Sequence, residues 1–151
     1  HNNQQEKWNK FFISQRLEPQ VKMAVDNGLL SAKEAAEFEK VNGALKDPFP
    51  FGNPCLLHGD LWSGNFLCDS ASHPVLIDPA VYYGHPAVDL GMTTLFGGFD
   101  EIFYESYKHL RPFPPNFTEQ WEVCNLYPLL IHLNLFGSGY KSAILHTIRR
   151  Y

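Results

Sequence analysis

The run His58-Gly59-Asp60-Leu61-Trp62-Ser63-Gly64-Asn65 and the Asp78 that follows it constrain this chain more than any other feature. Two short apolar stretches come next, Asn65-Phe66-Leu67-Cys68 and Pro74-Val75-Leu76-Ile77, on either side of the turn-rich Asp69-Ser70-Ala71-Ser72-His73. Strand-forming runs flanking such a turn predict a β-hairpin. The segment from His58 to Asn65 is then a loop leading into the hairpin, and Asp78 stands at the exit of its second strand. That layout would gather Asp60, Asn65 and Asp78 at one end of a small sheet.

Helices are predicted on both sides. Trp8, Phe11, Phe12 and Leu17 recur near the helical period, and Pro19 marks a break or a new helix start. Asn27-Gly28 should end the stretch through Val25, with Gly28 as a left-handed cap. Ser31-Ala32-Lys33-Glu34 has capping-box spacing and opens a helix to about Leu45. The proline-rich loop from Asp47 to Pro54 closes this half. Beyond Asp78, helices are expected over roughly 86–97, 100–110, 118–136 with a kink at Pro128, and 140–150. The expected class is therefore α+β and mainly α-helical: helical over 5–46, a catalytic loop and β-hairpin over 55–78, helical over 86–151.

Composition narrows the function. With 44% hydrophobic and 19% charged residues, the 151-residue chain is globular and the size of one domain. A net charge of -4 without a Lys/Arg cluster argues against nucleic acid. The apolar runs are too short to span a bilayer, and His1-Asn2-Asn3-Gln4-Gln5 has no signal-peptide character. Cys55, Cys68 and Cys124 are odd in number and lack Cys-x-x-Cys spacing, so they read as reduced, mostly structural thiols of a cytoplasmic protein.

The loop residues permit phosphoryl transfer. An Asp, an Asn five residues later and a further Asp after a hairpin form the pattern used there to orient a hydroxyl and to ligate metal. Asp60 could accept the hydroxyl proton. An ordinary carboxylate is a weak base, but it suffices where proton transfer is late and positioning supplies most of the help. Asn65 and Asp78 offer the hard oxygens that magnesium favours, and Gly59 and Gly64 let the backbone turn tightly around them. His58 braces the loop. Asp89, near a predicted helix start, either caps that helix or holds the catalytic-loop backbone. Trp62 either stacks on a substrate or packs locally. Phe96, Phe99, Phe103, Tyr104 and Tyr107 are expected in the core. His58, His73, His85 and His109 lack zinc spacing. Two other classes stay open: a non-catalytic binding module, and a hydrolase with Asp60, Asn65, Asp78 and His85 around two metal ions.

The wording Leu57-His58-Gly59-Asp60-Leu61-Trp62-Ser63-Gly64-Asn65, then Ile77-Asp78-Pro79-Ala80-Val81-Tyr82-Tyr83-Gly84-His85, then Phe96-Gly97-Gly98-Phe99 resembles the fructosamine-3-kinase (ketosamine-3-kinase) family. The likeness runs from near Trp8 to Tyr140. It implies a protein-kinase-like C-terminal lobe, with Asp60 as catalytic base, Asn65 and Asp78 as metal ligands and Trp62 as a wall for the sugar. It also implies ATP as co-substrate, Mg2+, and a small-molecule or protein-bound ketosamine as acceptor. Pro86-Ala87 departs from the Arg-Glu of many relatives, beside Asp89. Residues 1–57 hold no glycine-rich loop and no strand-borne Lys, and Lys7, Lys10, Lys22, Lys33 and Lys40 lie in helical patterns. The expectation is therefore a C-terminal lobe alone with little activity of its own. Its N-terminal ATP-binding lobe would be supplied in cis by the parent protein, and the exposed lobe interface would be open to self-association.

Overall fold

The structure, a computed structural model, describes residues 7–45 and 54–151. The proline-rich loop over 47–53 and the ends of the first expected helical region, 5, 6 and 46, lie outside the described residues. The chain forms two compact units, His1–Phe51 with Asn125–Tyr151, and Gly52–Cys124.

In the first unit, α1 (Trp8–Phe11), a π-helical segment (Phe12–Leu17) and α2 (Glu18–Asp26) follow one another in right-handed helical backbone. Pro19 lacks an N–H, and its ring crowds the carbonyl four residues back. The wider π ladder just upstream is where the helix absorbs that mismatch, so Pro19 sits in the first turn of α2 without ending the helical run. The terminus of α2 is a Schellman motif: Leu29 N–H donates to Ala24 O at 2.8 Å and Gly28 N–H to Val25 O at 2.9 Å, with Gly28 at φ 69°.

Next, α3 (Ala32–Ala44) opens with a capping box, Ser31 N–H on Glu34 Oε2 at 2.8 Å and Glu34 N–H on Ser31 Oγ at 3.2 Å. The Ser31 N–H, Lys141 Nζ 2.9 Å away and the Ser31 hydroxyl all donate to the Glu34 carboxylate and hold it at a pKa of about 2. The core follows helical spacing. Leu126, Leu130 and Leu133 of α6 (Phe117–Phe136) are fully buried, as are Ile144 and Ile148 of α7 (Lys141–Ile148), Phe12, Leu17 and Val41. The helix α6, which has residues in both units, runs through Pro128; a 3-10 turn, Ser138–Tyr140, leads into α7.

The second unit contains two two-stranded antiparallel sheets. The expected hairpin is present: β2 (Phe66–Cys68) pairs with β3 (Pro74–Leu76), with Leu67 opposite Val75. A second pair joins β1 (Cys55–Leu57) to β4 (Tyr82–Gly84), with Leu56 opposite Tyr83. Sequence reading missed β4, because three residues between Pro79 and Pro86 are too few to show strand alternation. The helix α4 (Ala87–Leu95) buries Ala87, Val88, Leu90 and Met92. Asp100 caps α5 (Glu101–Leu110) by accepting from Phe103 N–H at 3.1 Å.

The expectation of core burial for the aromatic residues near α5 is corrected, since no residue of that helix is fully buried. The rings form a part-buried row instead, Phe66 to Phe99 at 5.4 Å, Phe99 to Phe103 at 4.8 Å and Tyr104 to Trp121 at 5.7 Å. Tilted ring contacts of this kind let large rings cover one another on a unit too small to enclose them. Among the described residues, no helix is long and apolar enough to cross a membrane.

Candidate active site

Every residue singled out in the loop lies in the second unit. At its centre is His58, the first residue after β1. The Asp89 carboxylate, in the first turn of α4, accepts the His58 N–H on Oδ2 at 2.7 Å and the Gly59 N–H on Oδ1 at 2.9 Å. The His58 carbonyl accepts from Ala80 N–H at 2.8 Å. Its ring is bonded on both sides, Nε2 to Ile77 O at 3.0 Å and Nδ1 to Asp60 N–H at 3.3 Å. A carbonyl can only accept and an amide N–H can only donate, so the bonded ring is the neutral Nε2–H tautomer. One side chain thus couples Asp60 to the residue preceding Asp78.

Gly59 is required by close approach. It has φ 83°, and a Cβ there would lie 2.1 Å from Ala80 O. Any side chain would force apart the two backbone segments that His58 and Ala80 hold together.

Asp60 and Asn65 meet directly. Asn65 Nδ2 donates to Asp60 O at 2.9 Å and to Asp60 Oδ2 at 2.8 Å. Those bonds use both amide protons and leave Oδ1 as the remaining side-chain acceptor. Asn65 is buried in the 3-10 turn Ser63–Asn65, so this orientation is fixed by its surroundings.

Asp78 makes no direct bond to that pair. Its neighbour Ile77 donates its N–H to Asn65 O at 3.0 Å while its carbonyl takes the His58 ring. Asp78 itself adopts φ 50°, in the left-handed region that a short polar side chain tolerates better than a branched one. Pinned bonds at Ile77 and Ala80 hold it there on both sides. Asn65 Oδ1 and the Asp78 carboxylate are hard oxygen donors suited to a magnesium ion. Among the described residues no three His, Cys, Asp or Glu side chains form a metal cage, so most ligands of such an ion would come from water and phosphate.

Trp62 is the one tryptophan that stays substantially exposed, at 38%, against 9% for Trp8 and 8% for Trp121. Its indole folds back over the chain, where a Cβ on Gly64 would lie 2.3 Å from Trp62 Cη2. The edge of Phe96 meets it at 6.1 Å and 76°. Sequence reading assigned Phe96 to the core and so missed this contact; no local signal pairs residues so far apart.

His85 stands apart from the loop network. Its Nδ1 accepts from Ala87 N–H at 3.2 Å, and burial, aided by the Arg111 charge, lowers its pKa from 6.5 to about 4. A neutral ring in the folded state titrates below its unfolded counterpart. The stability it contributes is whole above pH 6.5 and is lost as pH falls to about 4. We expect the thermal midpoint of the protein, followed by circular dichroism, to drop over that window more steeply than that of His85→Gln. Superimposable pH profiles would contradict this account.

The loop thus bonds an acid to an amide and couples that acid, through His58, to the residue preceding a second acid. The fructosamine kinase family model matches residues 1–151. A "probable ketoamine kinase" of Lactiplantibacillus plantarum is 41% identical over 152 residues, covering 99% of this chain and 54% of that protein. Mouse ketosamine-3-kinase is 38% identical over 152 residues, covering 98% of this chain and 48% of its own length. A Thermobifida fusca crystal structure, assigned as a fructosamine-3-kinase, matches with a TM-score of 0.87 at 35% identity, over 98% of this chain and 52% of that one. The chain belongs to the fructosamine kinase family, and it spans about half the length of these relatives.

Proposed function

We propose that this chain carries the acceptor and metal side of an ATP-dependent ketosamine kinase, which transfers the γ-phosphate to the 3-hydroxyl of a sugar on a glycated amine. The observation that carries this reading is the Asp60–Asn65 contact and its coupling to Ile77-Asp78 through His58. Asp60 orients the substrate hydroxyl and takes its proton late in the transfer. Asn65 Oδ1 and the Asp78 carboxylate would hold magnesium, which when bound offsets charge on the phosphates. Trp62 offers a flat apolar wall to the sugar.

The nucleotide-clamping residues we place outside this sequence, in a lobe joined in cis. Two facts support that placement: the relatives are about twice as long, and residues 1–57 contain no glycine-rich loop. Leu67, Val75 and Leu76 of the hairpin are exposed and offer such a lobe an apolar surface. Residues 1–151 alone are then nearly inert. The thiols Cys55, Cys68 and Cys124 are all unpaired, which supports a cytoplasmic site.

The test is a phosphotransfer assay of the complete gene product with magnesium and ATP against a fructosamine, a ribulosamine, choline and an aminoglycoside. Phosphorylation of the two ketosamines is expected. Preference for choline or the aminoglycoside would overturn the substrate assignment.

A further inference from the structure

The loop between α4 and α5, Phe96-Gly97-Gly98-Phe99, lies along the catalytic loop and touches it at successive points. Phe96 meets the Trp62 indole edge-on. Gly98 presses on Ser63 so closely that a Cβ there would lie 2.2 Å from Ser63 Cβ. Phe99 packs on Phe66, directly after Asn65, at 5.4 Å. Gly97 and Gly98 have φ of 72° and 91°, the two left-handed residues that let the chain turn back against the loop at this spacing. Contacts at residues 62, 63 and 66 therefore follow the stretch that bears both the exposed indole and Asn65.

Trp62 needs such a support. Its ring lies over Gly64, which has no side chain to grip it, and Trp62 is 38% exposed. A glycine offers the ring no side chain to lock its torsions. An edge-to-face neighbour favours the one orientation of the indole that keeps the ring contact.

We propose that Phe96 is a positioning residue that sets acceptor specificity, holding the Trp62 indole in place over Gly64 as the wall against which the sugar of a ketosamine is placed. The inference rests on the kinase reading above for what the wall binds, but not for the contact itself. Phe96 works on acceptor binding. Its ring meets the Trp62 indole, which carries neither the proton acceptor nor a metal donor, so its loss should separate acceptor affinity from turnover.

Two measurements on Phe96→Ala test this. In the complete kinase, KM for the fructosamine should rise about tenfold, while KM for ATP and kcat stay within about twofold of wild type. Phe96→Tyr, which keeps the ring edge, should restore the wild-type KM. In parallel, the Trp62-dependent part of the acrylamide quenching of tryptophan fluorescence, read as the difference between each protein and its Trp62→Phe counterpart, should increase about twofold in Phe96→Ala. Should the alanine variant not fold, Phe96→Leu carries the same expectations, since it keeps bulk but has no ring edge.

Unchanged quenching, or a fall in kcat with an unchanged fructosamine KM, overturns the proposal. If wild type phosphorylates no ketosamine, the kinase reading fails while the quenching result still decides whether Phe96 holds Trp62.

Discussion

Asp60→Asn should lower kcat for ketosamine phosphorylation by about 10²–10⁴-fold, the usual worth of a positioned proton acceptor. The fold should survive, because the asparagine can keep an oxygen where Asp60 Oδ2 now accepts from Asn65 Nδ2, and the bond to the Asp60 carbonyl is untouched. What disappears is the carboxylate proposed to take the hydroxyl proton. KM for ATP should hardly move, since the amide that fixes Asn65 Oδ1 is retained. Asp60→Ala behaves differently. It frees one Asn65 proton as well as removing the base, so the metal dependence of the residual rate should also shift. Steady-state kinetics over a magnesium titration separates the two variants. Retention of more than about a tenth of wild-type kcat by Asp60→Asn would mean that Asp60 is not the proton acceptor.

Asp89→Asn is the second large effect, and it acts without touching substrate. The carboxylate accepts two backbone N–H groups, from His58 and Gly59, and an amide has one oxygen for the two. One N–H must then face an NH2. An unsatisfied buried donor costs about 1–3 kcal/mol, yet removing the charge also relieves a penalty. Burial raises the Asp89 pKa against the pull of its Gly59 and His58 bonds, with a smaller push from Asp60, so the ionised group is held at an energetic disadvantage. The two effects oppose one another in stability and reinforce one another in positioning. We therefore expect a modest fall in thermal midpoint with a loss of about 10–100-fold in kcat, since His58 and Gly59 carry the loop that places Asp60. Denaturation and kinetics on the same preparation check both halves. An activity loss no larger than the lost folded fraction would assign Asp89 to stability alone.

Much of the helical frame can be read from short stretches. The Ser31–Glu34 capping box and the Gly28 cap are each set by a handful of neighbouring residues, and both are present. Pro19 illustrates the limit of such reading: its chemistry demands a local change, but not which one, and the structure takes it as a π segment and not a broken helix. The aromatic residues near α5 were misplaced for a related reason. Ring-rich periodicity identifies a packing face, and only the amount of chain available to cover that face decides whether it becomes core or a part-buried row.

At the site, the order His-Gly-Asp, Asn, hairpin, Asp already selects the residues, because each is bound to the next by a few covalent steps that limit where it can go. The hairpin and the Asp60–Asn65 contact, five residues apart, belong to that local set. The tertiary structure alone decided the rest. Asp89 finds Gly59 across 30 residues, His58 is fixed as one tautomer by Ile77 and Asp60, β4 closes on β1, and Phe96 reaches Trp62. These contacts depend on where the chain returns after α-helical and strand segments whose exit directions are set by packing. No spacing in the sequence encodes that return: His58 and Asp89 could be named in advance as supports of the loop, but the partners through which they act, and the reach of Phe96 to Trp62, could not.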